Sequence, residues 1–259
     1  MSKFMHEAAF AELGLDYTYG LFDVTEDELG LFMENAYFLG LNVTVPLKVA
    51  VIQHLSELSR DAQLIGSVNT VKFNRGKVGY NTDVVGFMQC LREAGVDVLD
   101  ETFLVLGAGG AGRGIVFKLA MEKARVYSFD VDEGKSAALA DDVLRRVGVK
   151  VEPVDLGRIK EIIRNVDVLV NATPVGMHPN VDRMPVPSGI LHRALTVVDI
   201  VYNPLETKLL MQAKKKGCKT VNGVGMLVHQ GAEALRIWLG VDPPVEVMRE
   251  AVLDNLGKV

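Results

Sequence analysis

The chain has 259 residues, 49% hydrophobic and 24% charged, with a formal net charge of −5 and a pI near 5.6. That profile supplies core material for one large or two modest domains, and it excludes the clustered basic surface that nucleic-acid binding needs. No apolar stretch reaches the roughly 18 residues of a membrane helix, and the opening MSKFMHEAAF has no signal-peptide core. Two distant cysteines, Cys90 and Cys218, lack metal-ligand spacing and point to a reducing compartment, so a cytoplasmic protein without metal is expected.

In chain order, the alternating segment 17–24 leads to a helix opened by the capping box Thr25-x-x-Glu28. A short strand is predicted over 41–45. Pro46 then marks a helix start, with Lys48 in its first turn, where the dipole opposes protonation. Residues 68–73 and 78–81 pattern as a hairpin about Asn74-Arg75-Gly76. Beyond a helix at 84–95, apolar runs at 103–106, 125–129, 168–170 and 197–200, with a weaker one at 219–221, show no alternation. Parallel strands covered on both faces have that pattern. Helical patterns near 112–122, 134–147 and 206–216 separate them, which predicts a doubly wound sheet with right-handed crossovers. The tail is helical from Met226, and Asp242-Pro243 opens a late helix. The expected class is α/β: a Rossmann-like doubly wound parallel sheet over 85–228, plus a smaller α/β domain over 1–84 joined by helices over 229–259. A cleft is expected between them.

The run 103–106 leads directly into Gly107-Ala108-Gly109-Gly110-Ala111-Gly112 and then a helix. This is G-x-G-x-x-G between a strand and a helix, the setting in which it binds a dinucleotide. Gly107 permits the tight turn, Gly109 lets backbone approach a pyrophosphate, and Gly112 allows close helix–strand packing. The helix N-terminus offers unpaired N–H groups to the phosphates, making Gly107, Gly109, Gly110 and Gly112 cofactor-binding candidates. Asp130 follows the second strand at about the ribose-binding position. A carboxylate there accepts bonds from both ribose hydroxyls and repels a 2′-phosphate, and no arginine stands beside it. NAD is therefore favoured over NADP. The same glycine turn also suits S-adenosylmethionine, so other motifs must decide.

Three segments place polar residues at i, i+2 among apolar neighbours: Asn42 with Thr44, Ser67 with Asn69, and Asn81 with Asp83. On a strand such pairs share a face. Three of them would line a cleft suited to a polyhydroxylated ligand, since buried polar groups need partners. Lys48 taken alone reads as a surface lysine. Beside Asp83 at a cleft edge it could exchange a proton with a substrate oxygen. The five histidines form no metal set.

The ordered motifs resemble the shikimate dehydrogenase family and its quinate-using members: MHEAAF at 5–10, NVTVPLK at 42–48, GSVNTV at 66–71, GYNTD at 79–83, GAGGAG at 107–112, NATPVGM at 171–177, DIVYNPLET at 199–207 and NGVGMLVHQGA at 222–232. The resemblance covers nearly the whole chain and counts against a methyltransferase. It implies reversible oxidation of shikimate to 3-dehydroshikimate with NAD or NADP, in the pathway to the aromatic amino acids. Lys48 and Asp83 are similar to the family's catalytic pair. Thr44, Asn69 and Gln230 resemble residues that hold ring hydroxyls, Tyr202 one near the carboxylate end, and Ser2 the second serine of the carboxylate-binding segment. Thr173, Gly225 and Met226 resemble positions beside the cofactor.

Two departures from the family pattern bear on function. The family opens with a further strand and a serine ahead of this segment, whereas here the chain starts at Met1 and Lys3 replaces the usual proline. A bared sheet edge and a weakened anion site are the expectation. NADP-using members place Asn-Arg-Thr after the second strand, where this chain has Asp130-Val131-Asp132, so the phosphate-clamping arginine is replaced by Val131. Two alternatives follow: an NAD-dependent quinate dehydrogenase, and a non-catalytic relative that binds nucleotide or acid. The expected partner is a small-molecule acid, and a homodimer stays an open option.

Overall fold

The computed structural model describes residues 1–99 and 101–256. Two compact units emerge, Met1–Gly86 with Val228–Asn255, and Phe87–Leu227.

The first unit opens with α1 (Ser2–Glu12), which buries Met5, His6, Ala9 and Phe10 along one stripe, and continues to α2 (Leu29–Glu34). Residues 17–24 belong to no helix or strand. The expected capping box is only half made: Thr25 N–H and Oγ1 donate to Glu28 Oε2 at 3.0 and 2.8 Å, but the Thr25 hydroxyl caps no helix N–H, residues 26–28 form a turn, and α2 begins at Leu29 with Glu28 as its N-cap. Then come β1 (Gly40–Asn42), β2 (Glu57–Leu58), α3 (Arg60–Ile65), β3 (Thr70–Phe73), β4 (Lys77–Tyr80) and α4 (Asp83–Glu93).

The strand expected over 41–45 is shorter than its pattern. Val43 N–H still reaches the Asn69 carbonyl at 2.8 Å, and Pro46, lacking an N–H, cannot extend the pairing. Pro46 also opens no α-helix: 45–49 form turns before a 3-10 helix at Ala50–His54. Lys48 lies ahead of that five-residue element, so the dipole expected to act on it is not there. The sheet order is β1-β3-β4-β2, with β3 and β4 the expected antiparallel hairpin about a left-handed Arg75. Leu29, Met33, Val43, Val51, Ala62, Val68 and Val71 fill the core beneath.

The second unit alternates β5 (Thr102–Leu106), α5 (Gly110–Met121), β6 (Arg125–Phe129), α6 (Glu133–Val147), β7 (Glu152–Pro153), α7 (Leu156–Ile162), β8 (Val168–Asn171), β9 (Thr196–Asp199), α8 (Lys208–Lys215) and β10 (Lys219–Val221). The six strands are parallel in the order β10-β9-β8-β5-β6-β7. The doubly wound α/β class is as the strand runs predicted. β7 has no apolar run to announce it, being two residues ending in proline. Leu104, Leu106, Ile159, Leu169 and Val197 are wholly or almost wholly buried between sheet and helices, as continuous apolar strands require. Two last helices follow, α9 (Val224–Leu239) and α10 (Val245–Asn255), and α10 packs against α1.

Candidate active site

In the first unit the hairpin register sets one cluster. Thr70 pairs with Tyr80, and Asn69 N–H donates to the Tyr80 carbonyl at 3.0 Å, so the residues flanking the two strands meet. Asn69 then faces Thr82 and Asp83, the first residue of α4. Asn69 Nδ2 donates to Asp83 Oδ1 at 2.9 Å and to Thr82 Oγ1 at 3.0 Å, with a longer reach of 3.5 Å to Gln230 Oε1. Thr82 N–H donates to Asn69 Oδ1 at 2.7 Å. Lys48 takes the other carboxylate oxygen: its carbonyl accepts Val68 N–H at 2.8 Å, and its Nζ donates to Asp83 Oδ2 at 2.6 Å. The two charged side chains are 15% and 16% exposed, open enough for a ligand and sheltered enough to keep the pair oriented.

Lys48, Asn69, Asp83 and Gln230 are therefore brought together. Of the six residues in the i, i+2 pairs only Asn42 lies in a strand, so Asn69 and Asp83 do not meet through a shared strand face. Thr44 is exposed in the turn after β1, and Asn81 Nδ2 bonds the Ser67 carbonyl. The Ser67 hydroxyl and Asn81 Oδ1 are buried without partners.

Ser2 begins α1, with its side chain near the Tyr19 hydroxyl. Tyr19 stacks on His6 at 4.8 Å with the rings 4° from parallel, and burial pushes its phenol up to about 12. Burial likewise pushes His6 down to about 4, with Asn42 nearby opposing the shift, and both ring nitrogens lack hydrogen-bond partners. His6 is thus a neutral packing surface at ordinary pH. Lys3 is exposed and 3.8 Å from Glu7.

In the second unit the glycine turn closes as its spacing predicts. Gly107 has φ +102, a left-handed conformation that favours glycine, and its N–H bonds the Phe129 carbonyl at 2.7 Å. A Cβ on Gly112 would sit 1.8 Å from the Gly107 carbonyl oxygen, so only glycine fits. Beside Gly109 and Gly110 a Cβ would meet nothing within 4 Å, and Gly109 caps α5 with no side-chain bond. Open space in front of an uncapped helix N-terminus fits a pyrophosphate. Asp130 Oδ2 accepts Ala108 N–H at 2.8 Å and its Oδ1 accepts Asp132 N–H at 3.0 Å, which fixes the carboxylate beside the turn. Val131 follows, 92% exposed. Asp132 caps α6 through Gly134 N–H at 3.1 Å.

Sequence reasoning missed a buried pair at the ends of β8 and β9. Asn171 Nδ2 donates to Asp199 Oδ1 at 2.9 Å, and Thr207 Oγ1 donates to Asp199 Oδ2 at 2.7 Å. Asn171 Oδ1 in turn accepts Thr173 Oγ1 at 2.6 Å, which orients the threonine predicted to lie near the cofactor. The available signal was a lone polar residue ending each of two apolar strands, Val-Leu-Val-Asn and Val-Val-Asp. Burial pushes the Asp199 carboxyl up to about 6. Tyr202 is half-buried in the loop after β9, and Gly225 with Met226 lies in the first turn of α9. Among the described residues no group of three or more His, Cys, Asp or Glu could hold a metal, and no helix is long and apolar enough to cross a membrane.

Comparison with known proteins matches residues 1–71 to the shikimate dehydrogenase substrate binding domain and 223–253 to the shikimate 5′-dehydrogenase C-terminal domain. The chain is 48% identical to a shikimate dehydrogenase (NADP(+)) of Methanopyrus kandleri, over 99% of this chain and 91% of that protein. Its fold matches the shikimate 5-dehydrogenase of Thermus thermophilus in complex with NADP(H) and shikimate, with TM-score 0.88, 36% identity, and 98% and 94% of the two chains covered. It also matches the Listeria monocytogenes enzyme in complex with shikimate and NAD, with TM-score 0.89, 34% identity, and 96% and 90% covered.

Proposed function

The chain belongs to the shikimate dehydrogenase family, and we propose that it interconverts shikimate and 3-dehydroshikimate with a nicotinamide cofactor, in the pathway to the aromatic amino acids. The observation that carries this reading is the Lys48–Asp83 contact at 2.6 Å, an acid–base pair embedded in a cluster of amides and hydroxyls suited to a polyhydroxy acid.

The first unit binds the acid. Ser2 takes its carboxylate and Thr44, Asn69 and Gln230 its ring hydroxyls, and the family resemblance assigns Tyr202 to the carboxylate end. Lys48 exchanges the proton of the reacting hydroxyl, and Asp83 holds the ammonium in place. The second unit binds the cofactor: Gly107, Gly109, Gly110 and Gly112 cradle the pyrophosphate, Asp130 the ribose, and Thr173, Gly225 and Met226 the neighbourhood of the nicotinamide. When bound, the nicotinamide supplies the hydride acceptor and donor. The two buried cysteines, which form no disulfide with one another, support a reducing, cytoplasmic setting.

For the cofactor we favour NAD. The Methanopyrus relative is named for NADP(+) and the Listeria structure holds NAD. What supports NAD here is the fixed Asp130 carboxylate, which would oppose a 2′-phosphate, followed by a valine that offers the phosphate no cation.

Purified protein supplied with shikimate or quinate and each oxidised cofactor, followed by nicotinamide absorbance, tests all of this. Turnover of shikimate above quinate, with NAD above NADP, is expected. Cofactor binding without turnover of either acid would refute the enzymatic reading.

A further inference from the structure

Behind the Lys48–Asp83 pair lies a line of hydrogen bonds that all point the same way. Tyr19 O–H donates to Asn42 Oδ1 at 2.9 Å, and Asn42 Nδ2 donates to Thr70 Oγ1 at 3.1 Å. Thr70 Oγ1 donates to Asn69 Oδ1 at 3.2 Å, and Asn69 Nδ2 donates to Asp83 Oδ1 at 2.9 Å. The other carboxylate oxygen receives Lys48. The sense of both amides is fixed by backbone groups. Thr82 N–H can only donate, so the Asn69 atom it meets at 2.7 Å is the oxygen; the Asn69 carbonyl can only accept, so the Asn42 atom 3.4 Å from it is the nitrogen. Thr70 is fully buried, and its single hydroxyl lies between the outer amide and the inner one, with Thr82 Oγ1 also in reach at 3.1 Å. Bonds aligned head to tail polarise one another, and a buried network with every member satisfied holds a unique geometry.

We propose that Tyr19, Asn42 and Thr70 are positioning residues for the proton-handling pair, with the Thr70 hydroxyl adding to Thr82 N–H a second restraint on the Asn69 amide and thereby helping to keep Lys48 aimed. The inference rests on the dehydrogenase reading for its kinetic consequence only, since the aim of Lys48 is measurable without substrate.

The test is Thr70→Val, which keeps the shape and deletes the hydroxyl, with Thr70→Ser as the conservative restoration. Acetylation of Lys48 by acetic anhydride at fixed pH, read by peptide mass spectrometry on the ligand-free protein, should be about 3-fold faster in Thr70→Val, because an amine less firmly held by Asp83 is free more often. In steady-state turnover kcat should fall about 10-fold with KM within about 2-fold, the pattern of a lost transition-state alignment. Thr70→Ser should return both values toward the parent. A Thr70→Val protein whose Lys48 is acetylated at the parental rate overturns the proposal. If Thr70→Val does not fold, Tyr19→Phe, which keeps the ring stack on His6 and removes the hydroxyl that begins the line, takes its place; an unchanged Lys48 rate there overturns the proposal equally. A parent protein that turns over no acid defeats the dehydrogenase reading and leaves the acetylation result to decide the positioning role.

Discussion

Replacing Asp199 by asparagine measures what the second unit expends to hold a buried carboxylate. The side chain is fully buried, and burial pushes its carboxyl from the ordinary 3.8 up to about 6, against donors on Thr207, Val201 and Asn171 that favour the anion. Between those pH values the folded protein holds the proton more firmly than the unfolded chain does. The group's contribution is therefore complete below about pH 4 and lost as pH rises through about 6. The interval is about 2 pH units, and at about 1.4 kcal/mol per unit the loss comes to about 3 kcal/mol. Asp199→Asn removes the titration. Its amide oxygen still accepts from Asn171 and Val201, and its amide nitrogen turns to Thr207, whose hydroxyl can accept. The stability of the variant minus that of the parent should then climb by about 3 kcal/mol between about pH 4 and about pH 7. Urea unfolding of both proteins across that range gives the difference directly. A difference that stays flat with pH would show that burial does not perturb Asp199 and would refute the reasoning.

Other outcomes follow from the same structure. Lys48→Ala should lower kcat by about 10²- to 10⁴-fold while the protein keeps its circular dichroism spectrum; full turnover would remove Lys48 from the chemistry. Joint Asp130→Asn and Val131→Arg substitution should move the ratio of kcat/KM values toward NADP by about 10-fold or more, because a repelling carboxylate is replaced by a phosphate-binding cation; an unmoved ratio would mean cofactor choice is set elsewhere. His6, pushed down to about 4 by burial, contributes stability that is fully present above about pH 6.5 and is lost as pH falls through 4. His6→Leu should therefore abolish an acid-side loss of about 3 kcal/mol, and an equal acid sensitivity in both proteins would contradict that.

The strands of the second unit were legible because β5, β6, β8 and β9 are mostly apolar and buried without alternation, as two-sided coverage requires. The glycine turn was legible because Gly107 and Gly112 answer to backbone geometry alone. Where side chains decide, legibility fell. Periodicity over 41–45 favoured a strand that Pro46 cuts short, and the same proline suggested a helix that the turns at 45–49 replace. The proximity of Asn69 to Asp83 depends on the register of β3 against β4, and that of Asn171 to Asp199 on two strands adjacent in the sheet but 28 residues apart in sequence. Neither is a local property, so each residue could be named as polar in an apolar setting without its partner being foreseen. The resemblance to a known family named Lys48 and Asp83 where residue type alone would have left a surface lysine.

The strand order reverses between β5 and β8, so the chain winds outward one way through β6 and β7 and the other way through β9 and β10. The loops after β5 and β8 therefore touch: a Cβ on Gly107 would meet the Ala172 carbonyl and the Thr173 methyl, each at 2.9 Å. The glycine turn proposed to cradle the phosphates is thereby locked to the winding of the sheet, whereas Asp130 and Val131, proposed to face the ribose, sit at the tip of β6. Evolution can rewrite the second feature without disturbing the first. Descendants of one such ancestor could drift between the two nicotinamide cofactors by a couple of substitutions while inheriting the phosphate cradle and the proton-handling pair intact.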